Sequence, residues 1–214
     1  ASAQRPPEIR GQKQHGPLGI GKMQLNSSQE SAIEAALAQR LTLIQGPPGT
    51  GKTHTAIRLL TAFVRMGRGP ILATAESNVA VDNLLEGLLE MNVKAVRIGR
   101  PVKVREHLRE ATLDARIEQH PMQEELRFIR EQNDELRRNL TGLKGKEKGL
   151  AHRDVNRNFK EIRQIEGNMI SAVLDEAEVI CATTIGVGHN LLGDRKFPVV
   201  LMDEATQASE PSAL

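Results

Sequence analysis

Aromatic residues are scarce in this chain, which has four phenylalanines, no tryptophan and no tyrosine among its 214 residues. Its core must therefore consist of aliphatic and Met side chains, and few rings are available for stacking on nucleic-acid bases.

Cysteine is nearly absent as well. Cys181 stands alone, so no internal disulfide can form, which is typical of a reducing compartment. Because Cys181 lies in an apolar run, we predict a packed thiol rather than a nucleophile.

Long apolar runs are also missing. No segment approaches the roughly 20 apolar residues that a membrane-spanning helix needs, and the first residues lack the apolar core of a secretory signal. The histidines show no metal-ligand spacing with Cys181, so we expect no zinc site. These absences predict a cytoplasmic or nuclear protein without a membrane contact.

The composition that remains, 39% hydrophobic and 26% charged, is that of a folded domain. Residues 1–24 are rich in Pro, Gly, Gln and Arg, as in a linker. Short apolar runs predict strands at residues 41–44, 71–75, 93–98, 179–182 and 198–202. Helical patterns separate the early runs, with helices expected over residues 52–66 and 79–91. This alternation predicts an α/β domain built on a parallel sheet.

The pattern changes between residues 101 and 170, which are charged and helix-forming and carry no strand signal. Apolar residues at helical spacing mark two faces, and they are Leu126, Ile129, Leu136 and Leu140 on one and Ile162, Ile165 and Met169 on the other. Pro121 and the glycines of residues 142–149 are expected to break the segment. We predict an inserted antiparallel helical hairpin, which leaves residues 25–100 and 171–214 as the two parts of one domain.

A glycine-rich loop between a predicted strand and a predicted helix matches G-x-x-x-x-G-K-[ST]. Its residues are Gly46, Pro47, Pro48, Gly49, Thr50, Gly51, Lys52 and Thr53. In such a loop, backbone N–H groups and the start of the helix face phosphate oxygens. Lys52 supplies a positive charge to the terminal phosphates, and the Thr53 hydroxyl is a ligand for Mg²⁺. The loop therefore predicts ATP and Mg²⁺ binding.

A second motif, at residues 199–204, is an apolar strand that ends in Asp203 and Glu204. Alone, such a run is common in strands that reach solvent. Paired with the phosphate loop, it matches the motif that binds Mg²⁺ through Asp203 and activates water through Glu204. The two motifs predict an ATP-hydrolysing enzyme of the P-loop class.

Three further segments indicate which class of P-loop enzyme this is. They are residues 25–29 (LNSSQ), 73–82 (ATAESNVAVD) and 203–211 (DEATQASEP). Together with the two motifs, they resemble the superfamily 1 helicases of the up-frameshift and senataxin group, from about Leu25 to the end of the chain. The resemblance implies the first RecA-like motor domain of an RNA or DNA helicase that translocates on a single strand.

The resemblance also implies individual roles. Gln29 matches the glutamine that reads adenine, although capping of the first helix is an alternative for it. Ser77 and Asn78 match a segment that contacts the nucleic-acid backbone, with helix capping again the alternative, and Thr183 and Thr184 match a second such segment. Gln207 matches a residue near the γ-phosphate.

Basic residues in the insertion alternate with acids, as on a solvated helix face. Lys144, Lys146 and Lys148 are the best candidates there for nucleic-acid contact.

A motor of this group has two RecA-like domains and closes its nucleotide site with arginines from the second. The Gly-Asp-x-x-Gln motif and the strand that normally lies beside the phosphate-loop strand have no counterpart here. We therefore expect the chain to bind nucleotide weakly, to turn over little and not to unwind by itself. Two alternatives remain open: an ATP-gated clamp on nucleic acid or protein, and an interaction module with a vestigial nucleotide site.

Overall fold

The computed structural model describes residues 25–99, 106–187 and 190–208. Within these ranges the helices are α1 (Ser27–Ala38), α2 (Lys52–Arg65), α3 (Asn78–Glu90), α4 (Leu113–Glu118), α5 (Gln123–Asn139), α6 (Gly145–Glu176) and α7 (Thr184–Val187). The strands are β1 (Ile71–Ala75), β2 (Ala95–Arg97), β3 (Val179–Thr183) and β4 (Val199–Asp203). Short 3₁₀ turns cover Glu106–Ala111, Asn190–Leu192 and Ala205–Gln207.

The four strands form one parallel sheet in the order β2-β3-β1-β4. Ile71 at the start of β1 is in register with Val179 of β3 and with Val199 of β4. The carboxyl ends of all four strands therefore meet at one edge of the sheet. The predicted α/β class with a parallel sheet is confirmed.

Alternate residues along the strands face two separate apolar clusters. Ile71 and Val179 face a cluster that includes Leu60, Phe63, Leu84 and Leu88 of α2 and α3. Leu72 and Ile180 face the opposite cluster, with Val173 and Leu174 of α6. Helices thus cover both faces of the sheet, as a buried parallel sheet requires.

The inserted helical hairpin is also present, in α5 and α6. Its own apolar cluster consists of Leu126, Ile129, Ile162, Ile165 and Met169. Arg130 pairs with Glu166, and the Arg137 guanidinium lies 5.6 Å from the ring centroid of Phe159, so the two helices run antiparallel.

The glycine stretch at residues 142–149 was expected to break the segment, and residues 140–144 do separate α5 from α6, which begins within the stretch at Gly145. Gly149 therefore lies inside the helix. One glycine costs only about 1 kcal/mol in a helix interior, which a helix of 32 residues tolerates.

The prediction of a strand at residues 41–44 was wrong. This run has no strand structure, and its side chains are exposed, Leu41 by 77% and Leu43 by 87%. A parallel strand needs a hydrogen-bonding neighbour, because its backbone groups cannot pair within the strand. Among the described residues, the sheet ends at β4, whose Val200 is 58% exposed, and nothing there pairs with residues 41–44.

Two helical glycines provide a test of this packing. A Cβ atom on Gly87 of α3 would lie 2.3 Å from Cδ1 of Ile57 in α2, whereas one on Gly167 of α6 would meet no heavy atom within 4 Å. We expect Gly87→Ala to lower the free energy of unfolding by about 1–3 kcal/mol, since the α2–α3 contact must open. Gly167→Ala should raise it by about 0.5–1 kcal/mol. Urea denaturation of both variants measures this, and equal stabilisation by both would contradict the close α2–α3 contact.

Candidate active site

The phosphate loop leads directly into α2, which begins at Lys52. Gly49 and Gly51 both have φ of +79°, in the left-handed region that glycine adopts without strain. The Thr50 hydroxyl donates to the carbonyl of Pro47 at 2.8 Å and ties the loop together. The Lys52 ammonium donates to the carbonyls of Gly46 at 2.8 Å and Pro47 at 3.0 Å. Both hydrogen bonds of this cation to described residues go to neutral carbonyls at a helix N-terminus, an arrangement that suits an incoming phosphate.

The two predicted Mg²⁺ ligands are in contact. Thr53 Oγ1 donates to Asp203 Oδ2 at 2.9 Å, although 150 positions separate the two residues. A hydroxyl and a carboxylate are the oxygen donors that Mg²⁺ prefers. The described part of the chain has no group of three or more His, Cys, Asp or Glu side chains that would hold a metal ion by themselves. Such a donor set fits Mg²⁺, which usually takes one or two carboxylates and completes its shell with substrate phosphates and water.

Glu204 follows β4 and is held from two directions. Its φ of 55° and ψ of 31° are left-handed, which is uncommon for any residue except glycine. Its backbone N–H donates to Asp203 Oδ1 at 2.9 Å. Its carboxylate accepts a hydrogen bond from Ser77 Oγ, with 3.1 Å between Oγ and Oε2. The predicted catalytic carboxylate thus touches a predicted nucleic-acid contact.

Gln29 performs the capping role that was one of its alternatives. Its side-chain oxygen accepts from the N–H of Asn26 at 3.0 Å, and its own N–H donates to Asn26 Oδ1, which completes a capping box for α1. Its amide nitrogen also donates to the carbonyl of Thr50 at 3.1 Å. The amide therefore lies against the phosphate loop, and its role in reading adenine stays a prediction.

The predicted nucleic-acid contacts lie at the carboxyl ends of neighbouring strands. Ser77 follows β1 and caps α3 by accepting from the N–H of Ala80 at 3.1 Å. Thr183 ends β3, and Thr184 donates a hydrogen bond to Glu76, the residue before Ser77. The fold thus joins the two segments, which are about a hundred residues apart in sequence. Whether they bind nucleic acid stays a prediction.

Two further sets of predicted residues lie beside Glu204 and at the start of α6. Gln207 is exposed in the 3₁₀ turn after Glu204, and its N–H donates to the Glu204 carbonyl at 2.9 Å. Lys144, Lys146 and Lys148 are exposed at the start of α6. The suggested roles of these residues stay predictions.

Sequence reasoning missed a buried ion pair beside the site. Arg97 donates through Nε to Asp82 Oδ1 at 2.7 Å, with side-chain exposures of 1% and 3%. Arg97 also donates through Nη2 to Asn78 Oδ1 at 2.9 Å and so holds a predicted nucleic-acid contact. An arginine within the apolar run at residues 93–98 was the available signal, because a charge in a buried strand needs a partner.

Cys181 lies in β3 with no exposed surface, which agrees with its prediction as a packed thiol. Burial raises the pKa of the thiol to about 12, while the nearby Arg97 charge lowers it. A group with so high a pKa stays protonated at neutral pH, so Cys181 has no nucleophilic role in the site.

Sequence similarity to known proteins points to the same family as the motifs. A family model described as an AAA domain matches residues 24–214. The chain is 39% identical to the ATP-dependent helicase NAM7 of Saccharomyces cerevisiae, over 89% of this chain and 18% of that protein. It is 36% identical to the regulator of nonsense transcripts 1 homolog of Drosophila melanogaster, over 89% of this chain and 15% of that protein.

A third relative is the DNA-binding protein SMUBP-2 of Mus musculus, 34% identical over 92% of this chain and 20% of that protein. The chain spans a fifth or less of the length of these three relatives. No helix in the described ranges is long and apolar enough to cross a membrane. On the family match and the motifs together, the chain belongs to the AAA domain family, as a superfamily 1 helicase domain of the up-frameshift type.

Proposed function

We propose that this chain is the first motor domain of a helicase that binds and hydrolyses ATP and translocates on single-stranded RNA or DNA. One observation carries the proposal: hydrogen bonds, joined through the covalent bonds of Asp203 and Glu204, connect the phosphate loop to a predicted nucleic-acid contact. They link Thr53 to Asp203, Asp203 to the backbone of Glu204, and the Glu204 carboxylate to Ser77. A motor needs such a connection between its nucleotide site and the nucleic-acid strand along which it moves.

At the nucleotide end, each side chain has a distinct task. The loop N–H groups and the Lys52 ammonium bind the phosphates, and we assign reading of the base to the amide of Gln29. Thr53 and Asp203 would hold Mg²⁺, which supplies charge neutralisation on the phosphates when it is bound. Glu204 orients the attacking water and accepts its proton. Gln207 follows Glu204 closely and is assigned to the γ-phosphate.

At the other end, Ser77, Asn78 and Thr183 lie along one edge of the sheet, while the buried Thr184 donates its hydroxyl proton to Glu76. Hydroxyls, amides and backbone N–H groups are typical phosphate contacts, and they position a strand without reading its sequence. Such contacts suit a motor that must move along nucleic acid of any base sequence. The names of two relatives, one a regulator of transcripts and one a DNA-binding protein, leave both RNA and DNA as candidate substrates.

We further propose that residues 25–100 and 171–214 form one ATPase unit, interrupted by the helical insertion at residues 101–170, with residues 1–24 as a linker. A second RecA-like domain supplies the arginines that complete hydrolysis. We assign a further nucleic-acid contact to Lys144, Lys146 and Lys148, which are exposed at the start of α6. A cytoplasmic or nuclear location suits an enzyme that acts on nucleic acid.

The proposal is tested on a longer protein that contains this chain and a second motor domain, and on this chain alone. ATPase activity is measured with and without oligo(U) or oligo(dT), and strand displacement is measured on tailed duplexes. We expect the longer protein to show stimulated ATPase and unwinding, and this chain alone to bind nucleotide with little turnover. Lys52→Ala in the longer protein should abolish both activities and confirm that this loop drives them.

Three other outcomes would contradict the proposal. Stimulated ATPase without strand displacement would favour an ATP-gated clamp. Absence of ATPase, with partner binding unchanged by Lys52→Ala, would favour an interaction module. Efficient unwinding by this chain alone would show that no second domain is required.

A further inference from the structure

Glu76 is a carboxylate that lies among the predicted nucleic-acid contacts. It follows β1 and directly precedes Ser77 and Asn78. Because Ala75 of β1 is in register with Thr183 of β3, Glu76 also lies beside the second predicted contact segment. Its side chain is half-buried, and no Lys or Arg of the described residues pairs with it. A negative charge therefore lies at the edge to which the nucleic-acid strand is assigned.

One oxygen of this carboxylate is held by the protein itself. The Thr184 hydroxyl, which is buried, donates its proton to Glu76 Oε2. The other oxygen, Oε1, accepts no hydrogen bond from the part of the chain that the structure describes. An ionised carboxylate can accept several hydrogen bonds but can donate none. Glu76 thus retains an oxygen that can accept a hydrogen bond from a ligand.

Thr183 has the complementary capacity. Its Oγ1 accepts a hydrogen bond from the N–H of Gly186 at 3.1 Å and donates to none of the described residues. The hydroxyl proton is therefore available for an oxygen of a ligand. Neighbouring strands lie about 4.8 Å apart, so this donor on β3 and the Glu76 acceptor after β1 are within reach of a single nucleotide.

The chemistry of the two nucleic acids determines what such an acceptor can bind. The sugar-phosphate backbone of DNA carries only acceptor oxygens, so a carboxylate beside it meets like charge and no donor. The RNA backbone adds one 2′-hydroxyl per nucleotide, which can donate as well as accept. This hydroxyl lies next to the 3′-phosphate of the same nucleotide. A carboxylate acceptor beside a hydroxyl donor therefore matches a ribose with its phosphate, and not a deoxyribose.

We propose that Glu76 is a specificity-determining residue, whose carboxylate accepts the 2′-hydroxyl proton of one ribose while Thr183 donates to the adjoining phosphate. RNA gains a charge-assisted hydrogen bond at this position, whereas DNA meets an uncompensated negative charge. Thr184 keeps the carboxylate in place through its bond to Oε2. This inference rests on the proposed function and deepens it, because it assigns the discrimination between RNA and DNA to one side chain.

The test measures dissociation constants of three probes for the longer protein without nucleotide: oligo(U), oligo(dU) and 2′-O-methyl oligo(U). The probes share one base, so they differ only at the 2′ position. The methylated probe keeps the 2′ oxygen but has no proton to donate. A hydrogen bond to a charged group changes an equilibrium constant by about tenfold or more. We therefore expect the parent to bind oligo(U) about tenfold more tightly than either other probe.

Two substitutions of Glu76 test the assignment. Glu76→Gln keeps the size of the side chain and removes its charge, and Glu76→Ala removes both oxygens. Both variants should bind oligo(dU) more tightly than the parent does, because the like-charge repulsion is gone. The preference for oligo(U) should fall to about threefold in Glu76→Gln, whose amide oxygen still accepts, and to about one in Glu76→Ala. A damaged fold would instead weaken the binding of both probes by one factor and leave the preference unchanged.

Glu90 provides a matched control, because it is an exposed carboxylate at the other end of α3. At about 1.5 Å per residue, it lies roughly 18 Å along the helix from Asn78. Glu90→Gln makes the same change in net charge and should keep the parent's preference for oligo(U).

Three results would overturn the inference. They are equal affinity of the parent for oligo(U) and oligo(dU), a preference for oligo(U) that survives Glu76→Ala, and binding of the methylated probe as tightly as oligo(U). In each of these cases the protein still binds nucleic acid, so the proposed function stands. Absence of binding to all three probes would overturn the proposed function, and this inference with it.

Discussion

A Glu204→Gln variant of the longer motor protein is expected to turn over ATP about 10²–10⁴-fold more slowly than the parent, with nucleotide affinity retained. Glutamine keeps the shape of the side chain and still accepts a hydrogen bond from Ser77. It lacks the negative charge that orients water and accepts its proton. The groups assigned to binding, the phosphate loop with Lys52 and Thr53, remain intact. Single-turnover hydrolysis and an equilibrium nucleotide titration measure the two quantities separately.

A matched control lies at the opposite edge of the same sheet. The Glu178 carboxylate accepts a hydrogen bond from the N–H of Lys94 at 2.9 Å, beside the amino end of β3. Glu178→Gln removes a carboxylate of the same kind and should leave turnover unchanged. A loss below about tenfold for Glu204→Gln would assign water activation to another residue.

Breaking the buried ion pair of Arg97 and Asp82 should have the largest effect on stability. Asp82→Ala leaves the Arg97 guanidinium without its counter-charge, in a side chain that is 1% exposed. Removal of one partner from a buried pair costs about 3–5 kcal/mol. A loss of this size is a large part of a typical domain's stability. Urea denaturation followed by circular dichroism measures the free energy of unfolding.

An exposed pair with the same geometry provides the comparison. Arg195 and Asp175 also approach to 2.7 Å, but their side chains are 21% and 65% exposed. Asp175→Ala should cost less than about 1 kcal/mol, because water solvates the remaining charge. Equal losses in the two variants would show that burial does not determine the loss of unfolding free energy.

Replacing both members of the buried pair, with Arg97→Met and Asp82→Leu, should recover much of the stability lost in Asp82→Ala.

Local patterns predicted most of this fold. Helix α2 begins at the predicted Lys52, β1 covers the predicted residues 71–75, and the strand that carries Asp203 starts within one residue of its expected position. These elements have strong signals of their own, such as the glycine loop or a bounded apolar run. The same was true of the hairpin, whose apolar faces follow helical spacing.

The failures involve information that no local pattern contains. Residues 41–44 have the composition of a strand, but strand formation depends on a neighbour that lies elsewhere in sequence or space. The ion pair of Arg97 with Asp82 and the contact of Ser77 with Glu204 join residues 15 and 127 positions apart. Sequence motifs named three of these four residues individually or as part of a segment. Only the topology of the sheet brings each to its partner.

The length of α6 has a mechanical consequence. Its 32 residues correspond to about 48 Å at 1.5 Å per residue. Its last turns pack on the sheet through Val173 and Leu174, and only Ala177 and Glu178 separate it from β3. The helix therefore joins the sheet at the amino end of β3, opposite the edge that holds Thr183. Over this length, a tilt of about five degrees at the junction would displace the tip of the hairpin by about 4 Å.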